Sequence, residues 1–272
     1  MLTTNKIGSR ENAKLKHARK VRDGKEADAI FVEGLRLCEE ALRSDLTVRE
    51  CFASTKFLKG ERARILAAAV LGNEVAVNEI SDVLFKSIAD TDNPQGIALI
   101  CDRPASGRKA FEARFQLSTE NVPAVIFLED TNNPSNLGAI LRVVEAAGAA
   151  GVIVSENSAD PFSAKAIRAS MGSAFRVPIW HTASFAEALR WARERTLIVT
   201  AADIGGEKLY TQIDWKVPRL IVFGSEAHGL REREKKKVED LIRIPMSATV
   251  ESLNLAVSAG VILFEAQRQI NG

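Results

Sequence analysis

Three short stretches hold residue types and spacings that chemistry can use. "EDTNNPSNLGAILR", Glu129 to Arg142, places an Asn/Pro turn before Gly138 and ends on an arginine. The turn residues break the preceding apolar run, and the glycine lets backbone come close to a neighbour or a ligand. Arg142 is expected on the first turns of the following helix, near the strand ends. "IVFGSEAHGL", Ile221 to Leu230, stops an apolar run at Gly224 and sets Ser225, Glu226 and His228 in a loop closed by Gly229. Glycines so placed cradle ligands in nucleotide sites. "IPMSATVESLNLAVSAGVILFEAQRQ" follows Pro245 with Ser247, Thr249, Glu251, Ser252 and Asn254, then turns apolar. Leu255, Val257, Val261, Ile262, Leu263 and Phe264 read as a helix that must be buried. Polar groups at its head cost free energy unless they find partners. Ser247 or Thr249 capping the helix accounts for one of them. Ser252 and Asn254 then fall in its first turns, where free N–H groups favour a phosphate or carboxylate. Each stretch has a plainer reading as well. The first is a tight turn with Arg142 in an ordinary salt bridge. The second is a turn that merely starts a helix, with His228 structural and Glu226, right at a strand end, the better candidate.

These stretches need strands to hold them. From Val122 onward "AVIFLED", "GVIVSE", "VPIWHT", "TLIVTAAD" and "RLIVFGSE" are continuous apolar runs alternating with helical patterns. That alternation predicts an α/β fold, a parallel sheet covered by helices on both faces. Ligands of such sheets sit beyond the carboxyl ends of the strands, where the three stretches lie. Residues 1–103 read as a smaller α/β domain of alternating short strands and amphipathic helices, and residues 104–121 as a linker with a helical turn or two. Residues 122–272 form the second domain.

Composition narrows the class. The apolar fraction is 46%, the charged fraction 26% and the net charge +2, as in a soluble globular protein. No apolar run reaches the roughly 20 residues that span a bilayer, so no membrane partner is expected. Cys38, Cys51 and Cys101 are scattered and read as reduced thiols of a cytoplasmic protein. His17, His181 and His228 lie too far apart in sequence to suggest zinc. "REREKKKVED" reads as a solvated helix face of mixed charge. Lys14, Lys16, Arg19, Lys20 and Arg22 crowd one basic stretch, either a surface for phosphate backbones or an ordinary solvated helix face.

Taken together, "NPSNLGAILR", "FGSEAHGL" and "IPMSATVESLNLAVSAGVILFE" resemble the three motifs of the SpoU (TrmH-type) RNA ribose 2′-O-methyltransferases of the SPOUT superfamily, in the same order. The resemblance covers Val122 to the end. "FVEGLRLCEEAL" and "NPQGIALI" carry a weaker likeness to the family's substrate-binding domain, a ribosomal-protein-like α/β module. Asn133-Pro134 stands where many members have Asp-Pro, a turn that either residue suits.

The resemblance implies a deep trefoil knot in the second domain, otherwise nearly absent from proteins, and S-adenosylmethionine as cofactor. It places Gly224, Ile244 and Leu253 against that cofactor, with Thr200, at the end of "LIVT", and Met246 as neighbours. It implies methylation of a ribose 2′-hydroxyl, with Arg142, Asn136, Glu226, Ser252 and Asn254 as the catalytic set. The family assigns deprotonation to the arginine, an awkward base because a guanidinium titrates above about 12. Gripping a phosphate to orient the ribose is the more conservative role, with Glu226 holding Arg142. The basic helix would grip RNA, and the final helix would bury part of its face in a homodimer. Ribosomal RNA is the expected substrate. Transfer RNA and a non-catalytic RNA-binding protein on the same fold are the alternatives. A Rossmann dinucleotide enzyme is disfavoured because no GxGxxG follows a first strand.

Overall fold

The computed structural model describes residues 4–72, 74–117, 121–247, 249 and 252–272. The chain forms two compact units, one of Met1–Pro104 with Phe162–Phe175, the other of Ala105–Pro161 with Arg176–Gly272.

The first unit runs β1 (Thr4–Ile7), α1 (Ala13–Arg22), β2 (Ala29–Glu33), α2 (Leu35–Arg43), β3 (Val48–Ser54), α3 (Glu61–Gly72), β4 (Val77–Ile80), α4 (Asp82–Ile88) and β5 (Ile97–Asp102). Its sheet has the order β1-β4-β3-β5-β2. β1, β4 and β3 are parallel, and β5 runs against β3 and β2. Leu15, Ala18 and Val21 of α1 fall at helical spacing and pack with Phe85 and Ile88 of α4 over Phe31, Phe52 and Ile100. Burying side chains of this size stabilises by about 1.5–3 kcal/mol each. Asn12 caps α1 by accepting from Lys14 N at 2.9 Å, and Ser81 caps α4. The stretches "FVEG" and "NPQG" meet here. Buried Glu33 accepts from Asp90 N at 2.6 Å, and Gln95 Oε1 accepts from Leu35 N at 2.8 Å. The helix Ala164–Ser170, far along the chain, packs with β2 as part of this unit.

All three cysteines are buried. Burial pushes the Cys51 and Cys101 thiols up to about 12 and raises Cys38 as well. Only the thiolate attacks disulfides, so the native protein should leave dithionitrobenzoate unreacted and the urea-unfolded chain should titrate all three thiols. A fast-reacting thiol in the native state would contradict this packing.

The second unit contains α5 (Arg108–Arg114), β6 (Ala124–Leu128), α6 (Pro134–Ala147) and β7 (Gly151–Ser155). After α7 (Ala164–Ser170), which packs in the first unit, and the short α8 (Ser173–Arg176), it continues with β8 (Ile179–Ala183), α9 (Phe185–Glu194), β9 (Ile198–Ala202) and β10 (Lys208–Leu209). β11 (Arg219–Phe223), α10 (Glu232–Lys235), β12 (Asp240–Arg243) and α11 (Leu255–Asn271) complete it. The sheet is parallel throughout, in the order β10-β12-β9-β11-β6-β7-β8. Its central strands are buried residue by residue, as a sheet covered on both faces requires.

Residues 104–121, expected as a linker, are in part built into this unit. α5 buries Phe111, which stacks with Phe115 at 5.5 Å and meets Trp191 edge-on at 5.5 Å, and Ser106 O accepts from His181 N at 2.7 Å. Two aromatics four residues apart are too short a period to stand out in the sequence, yet they suffice to dock one helical turn. Residues 118–120 lie outside the described residues.

Register decides where the three loops emerge. Leu128, Phe223, Ala202 and Ile242 are level across β6, β11, β9 and β12. Glu129 N extends the pairing by donating to Phe223 O at 2.9 Å. The loops after β6, β11 and β12 therefore leave the same edge of the sheet.

Candidate active site

Asn133 caps α6 by accepting from Ser135 N at 2.9 Å, and Pro134 opens the helix, a position where its missing N–H costs nothing. This places Asn136 in the first turn, facing the other two loops. The Asn136 side-chain amide donates to Glu226 Oε1. Its carbonyl oxygen accepts from Asn254 Nδ2 at 3.0 Å. Asn254 Oδ1 in turn accepts from Ala256 N at 2.9 Å and Val257 N at 3.3 Å. Glu226, Asn136 and Asn254, from the loops after β11, β6 and β12, thus form one hydrogen-bonded relay that ties three chain segments together.

Several expectations change. α11 begins at Leu255 with Asn254 as its cap, so neither Ser247 nor Thr249 caps it. Ser252 is exposed ahead of the helix rather than in its first turn. Glu251 lies outside the described residues. An asparagine whose oxygen reaches the N–H groups two and three residues on is as good a cap as serine, and it moves the start by several residues. Arg142 is eight residues past Pro134, in the third turn of α6 rather than the first, about 12 Å along the axis. It is exposed and makes no hydrogen bond or ion pair with the described residues. Glu226 bonds Asn136, not Arg142.

The expected cofactor residues divide. Ile244 and Met246 are half-buried just past β12, and Leu253 is 37% exposed ahead of α11. Gly224 is buried at the end of β11, and a Cβ there would fall 2.3 Å from Gly229 C and 2.4 Å from Leu230 N. The loop Ser225–Gly229 folds back on itself, closed by hydrogen bonds of 3.2 and 2.9 Å. Within this chain the glycine is required by the contact with Gly229 and Leu230. Thr200 is the middle of β9, not its end, and is fully buried. Its Oγ1 accepts from Arg219 Nη1 at 2.7 Å, which also pairs with Asp240 at 2.7 Å. A guanidinium carried inside draws every nearby acceptor to itself, and Thr200 is one of them.

α11 packs along α6, with Gly260 opposite Val143. Ala259, Ile262, Leu263 and Ala266 are buried, but Val257 is 51% and Phe264 48% exposed. The final helix is therefore covered on one face within this chain, and Val257 and Phe264 stay exposed, as a helix expected to bury part of its face in a homodimer requires.

The basic helix is partly tied down. Lys14 Nζ donates to Asn78 Oδ1 at 3.1 Å, Arg19 Nη2 to Arg10 O at 3.0 Å, and Arg22 Nη1 to Ala89 O at 3.1 Å. Lys16 and Lys20 stay at the surface, paired with Glu11 at 2.7 Å and Glu26 at 3.9 Å.

Sequence reading missed Glu129. It follows β6 directly, and neither of its carboxylate oxygens has a hydrogen bond among the described residues, although Oε2 is buried. Burial, reinforced by Asp130, Glu234 and Glu156 and opposed by Arg231, pushes its carboxyl up to about 7. Glu129 opens into a cavity of about 300 Å³ at the carboxyl ends of β6, β7 and β8. None of the residues expected to be functional lines it. Part of "REREKKKVED" does, and its Glu234 is buried, so that run is not simply a solvated face. The group's folded value lies above its ordinary 4.5. Its stabilising protonated form is complete below the ordinary value and lost as pH rises through the raised one. The melting temperature of the wild-type protein should fall relative to Glu129→Gln as pH climbs from 4.5 to about 7. Parallel curves would show that Glu129 is not desolvated.

Comparison with known proteins agrees with this geometry. Residues 123–264 match the SpoU rRNA Methylase family, and residues 10–99 match the MRM3-like substrate binding domain. The 23S rRNA (guanosine-2′-O-)-methyltransferase RlmB of Ralstonia nicotianae is 34% identical over 186 residues, 68% of this chain and 74% of that one. An uncharacterized tRNA/rRNA methyltransferase of Mycolicibacterium paratuberculosis is 35% identical over 56% of this chain, a match spanning only 50% of that relative's length. The AdoMet-bound rRNA methyltransferase from Sinorhizobium meliloti superposes with a TM-score of 0.84 at 29% identity, covering 97% of this chain and 98% of that one. With the matching family model spanning more than half of its residues, the chain belongs to the SpoU rRNA methylase family.

Proposed function

We propose that this protein is an S-adenosylmethionine-dependent RNA methyltransferase that acts on a ribose 2′-hydroxyl, in ribosomal RNA. The Glu226–Asn136–Asn254 relay carries the reading. It joins three loops at one sheet edge, and Arg142, exposed and without an ion pair among the described residues, stands on the same helix as its central residue.

The chain fits the cofactor. Ile244, Met246 and Leu253 are apolar side chains left partly uncovered between β12 and α11, and the loop after β11 is closed on itself at Ser225–Gly229. Adenine needs apolar walls with backbone hydrogen-bonding groups between them, and this strand-end region supplies both. When bound, the sulfonium supplies an electrophilic methyl group. The protein's own part is placement. Arg142 grips the phosphate next to the target ribose and turns the 2′-hydroxyl toward the methyl. Asn136 and Asn254 hold the loops at fixed distances, and Ser252 lies exposed beside them for substrate. Only RNA offers a 2′-hydroxyl. Lys16 and Lys20 remain available for its backbone; Lys14, Arg19 and Arg22 act chiefly in holding α1.

The uncovered Val257 and Phe264 support a homodimer through α11. The trefoil knot belongs to the same reading; the close passage of Gly206 against the Ile242 backbone, 2.3 Å for a Cβ, is the tight approach of distant segments that a knotted domain needs. No helix among the described residues is long and apolar enough to cross a membrane.

The first test is calorimetric titration with S-adenosylhomocysteine, followed by mapping of 2′-O-methylation in ribosomal RNA from a deletion strain. One micromolar site per subunit, lost in Leu253→Glu, and one missing methyl group are expected. A folded protein without that site would overturn the reading. Phe264→Asp should convert a dimer to a monomer in analytical ultracentrifugation; an unchanged mass would exclude this face.

A further inference from the structure

The cavity beside Glu129 has walls of unusual composition. Ser155 and Ala183, the last residues of β7 and β8, line it with Glu129, and its charged lining is completed by Glu156 and Glu234 with Arg231, Arg233 and Lys237. At about 300 Å³ it sits at the lower end of small-ligand sites. Glu129 is half-buried with Oε2 buried and without a partner among the described residues, so when ionised it is suited to a ligand that brings N–H or O–H groups. A divalent cation is a poor candidate, because no group of three metal-ligating side chains occurs among the described residues. The lining is balanced, with Glu129, Glu156 and Glu234 against Arg231, Arg233 and Lys237, so it suits a ligand that carries both hydrogen-bond donors and an anion. A neutral heterocycle brings N–H donors to Glu129, and a phosphate attached to it meets Arg233 and Lys237. Those are the two halves of a nucleotide.

The choice of base follows from the carboxylate. Guanine presents two adjacent donors, N1–H and N2–H, matching two carboxylate oxygens side by side. Adenine and cytosine set an acceptor beside their donor, and uracil flanks its single donor with acceptors, so each turns a lone pair on Glu129. We propose that this cavity is a base-reading pocket for one unstacked guanine of the RNA substrate, with Glu129 accepting from its Watson–Crick edge and Arg233 and Lys237 holding its phosphate. The inference rests on the RNA methyltransferase reading above. The pocket and the relay draw on the same two segments: Glu129 opens the connection that leads into α6, where Asn136 stands, and Arg231 follows the Glu226 loop and reaches Asp130 at 3.4 Å.

Ionised Glu129 is needed to accept both protons. The groups facing it are Asp130, Glu156 and Glu234, which resist ionisation, and Arg231, which favours it; Arg233 and Lys237 complete the cavity wall. Guanine affinity should therefore rise as pH passes through about 7.

The test titrates the full-length protein with GMP, AMP, CMP and UMP below and above neutrality. GMP should bind about tenfold or more tightly than the others, the discrimination one bidentate pair supplies, and the margin should widen with pH. Glu129→Gln, isosteric with the protonated form that the empty pocket favours, should lose both the preference and its pH dependence. Arg233→Ser with Lys237→Ser should weaken all four nucleotides alike and keep the preference. Equal affinities in the wild-type protein, or a preference that survives Glu129→Gln, overturn the pocket. Titration of the wild-type protein with S-adenosylhomocysteine separates the two ideas. Cofactor binding with no guanine preference overturns the pocket alone. A guanine preference without cofactor binding supports the pocket and overturns the methyltransferase reading.

Discussion

Arg142→Ala should reduce methyl transfer by about 10³-fold while the affinity for S-adenosylhomocysteine stays within about threefold, half of a 1.4 kcal/mol tenfold step. The expectation rests on separation within the site. Arg142 lies in the third turn of α6, exposed, and its side chain makes no hydrogen bond or ion pair with the described residues. The residues suited to the cofactor are on the loops after β11 and β12. An exposed cation that contributes nothing to its own fold can be removed at little cost in stability; surface substitutions of this kind stay within about 0.5 kcal/mol. What is lost is the grip on substrate, and positioning of that kind supplies several kcal/mol of a barrier, up to about 7–11 kcal/mol in well-oriented cases. Single-turnover transfer of labelled methyl to RNA measures the first quantity, calorimetry the second. Arg142→Lys tests the role further. A phosphate contact tolerates a point charge better than bidentate recognition does, so substantial recovery with lysine indicates a phosphate grip. A well-folded Arg142→Ala protein that no longer binds cofactor would contradict the division between the loops.

Gly224→Ala should act from the opposite side. Its Cβ would meet three backbone atoms, Gly229 C at 2.3 Å, Leu230 N at 2.4 Å and Gly229 O at 2.7 Å. No side chain can swing aside to make room. The Ser225–Gly229 closure must open, and Glu226 moves with it, away from Asn136. Overpacking costs about 1–3 kcal/mol, and a displacement on the order of 1 Å at a positioning loop costs about 10²-fold in rate. Cofactor affinity and transfer should fall together, with a lower melting temperature. Gly8→Ala provides the contrast, because nothing lies within 4 Å of its Cβ, and it should leave all three measurements unchanged. Gly224→Ala with wild-type cofactor affinity would mean that the second loop does not shape the cofactor site.

Some of this protein was legible in its residues alone. Continuous apolar strands alternating with helices required a covered parallel sheet, since only burial on both faces explains strands without alternation. The turn chemistry of Asn133-Pro134 and of Gly224 marked where strands end, because proline and glycine act locally, through φ and steric room. The three motif loops were found in this way, with Glu226 and Asn254 on two of them; Asn136 came only with the resemblance to the SpoU family. Other features depend on contacts between residues far apart in the chain, which no local pattern encodes. Asn254 rather than Ser247 or Thr249 starts α11, because Asn254 is the residue held by Asn136 across 118 positions of sequence. Thr200 reads as a strand end, yet the strand runs on, and Arg219 from a neighbouring strand takes its hydroxyl. Phe111 reads as part of a linker, yet Trp191 and Trp180 wait for it. Glu129 shows no signal beyond its place after an apolar run. Its environment is made first by burial, then by its neighbour Asp130, and then by Glu234 and Glu156, which arrive from two other strand connections. Periodicity and turn chemistry set the elements and their ends, because those are properties of neighbours in sequence. Which polar groups are buried, paired or left facing a cavity is a property of neighbours in space, and the tertiary structure alone decides it.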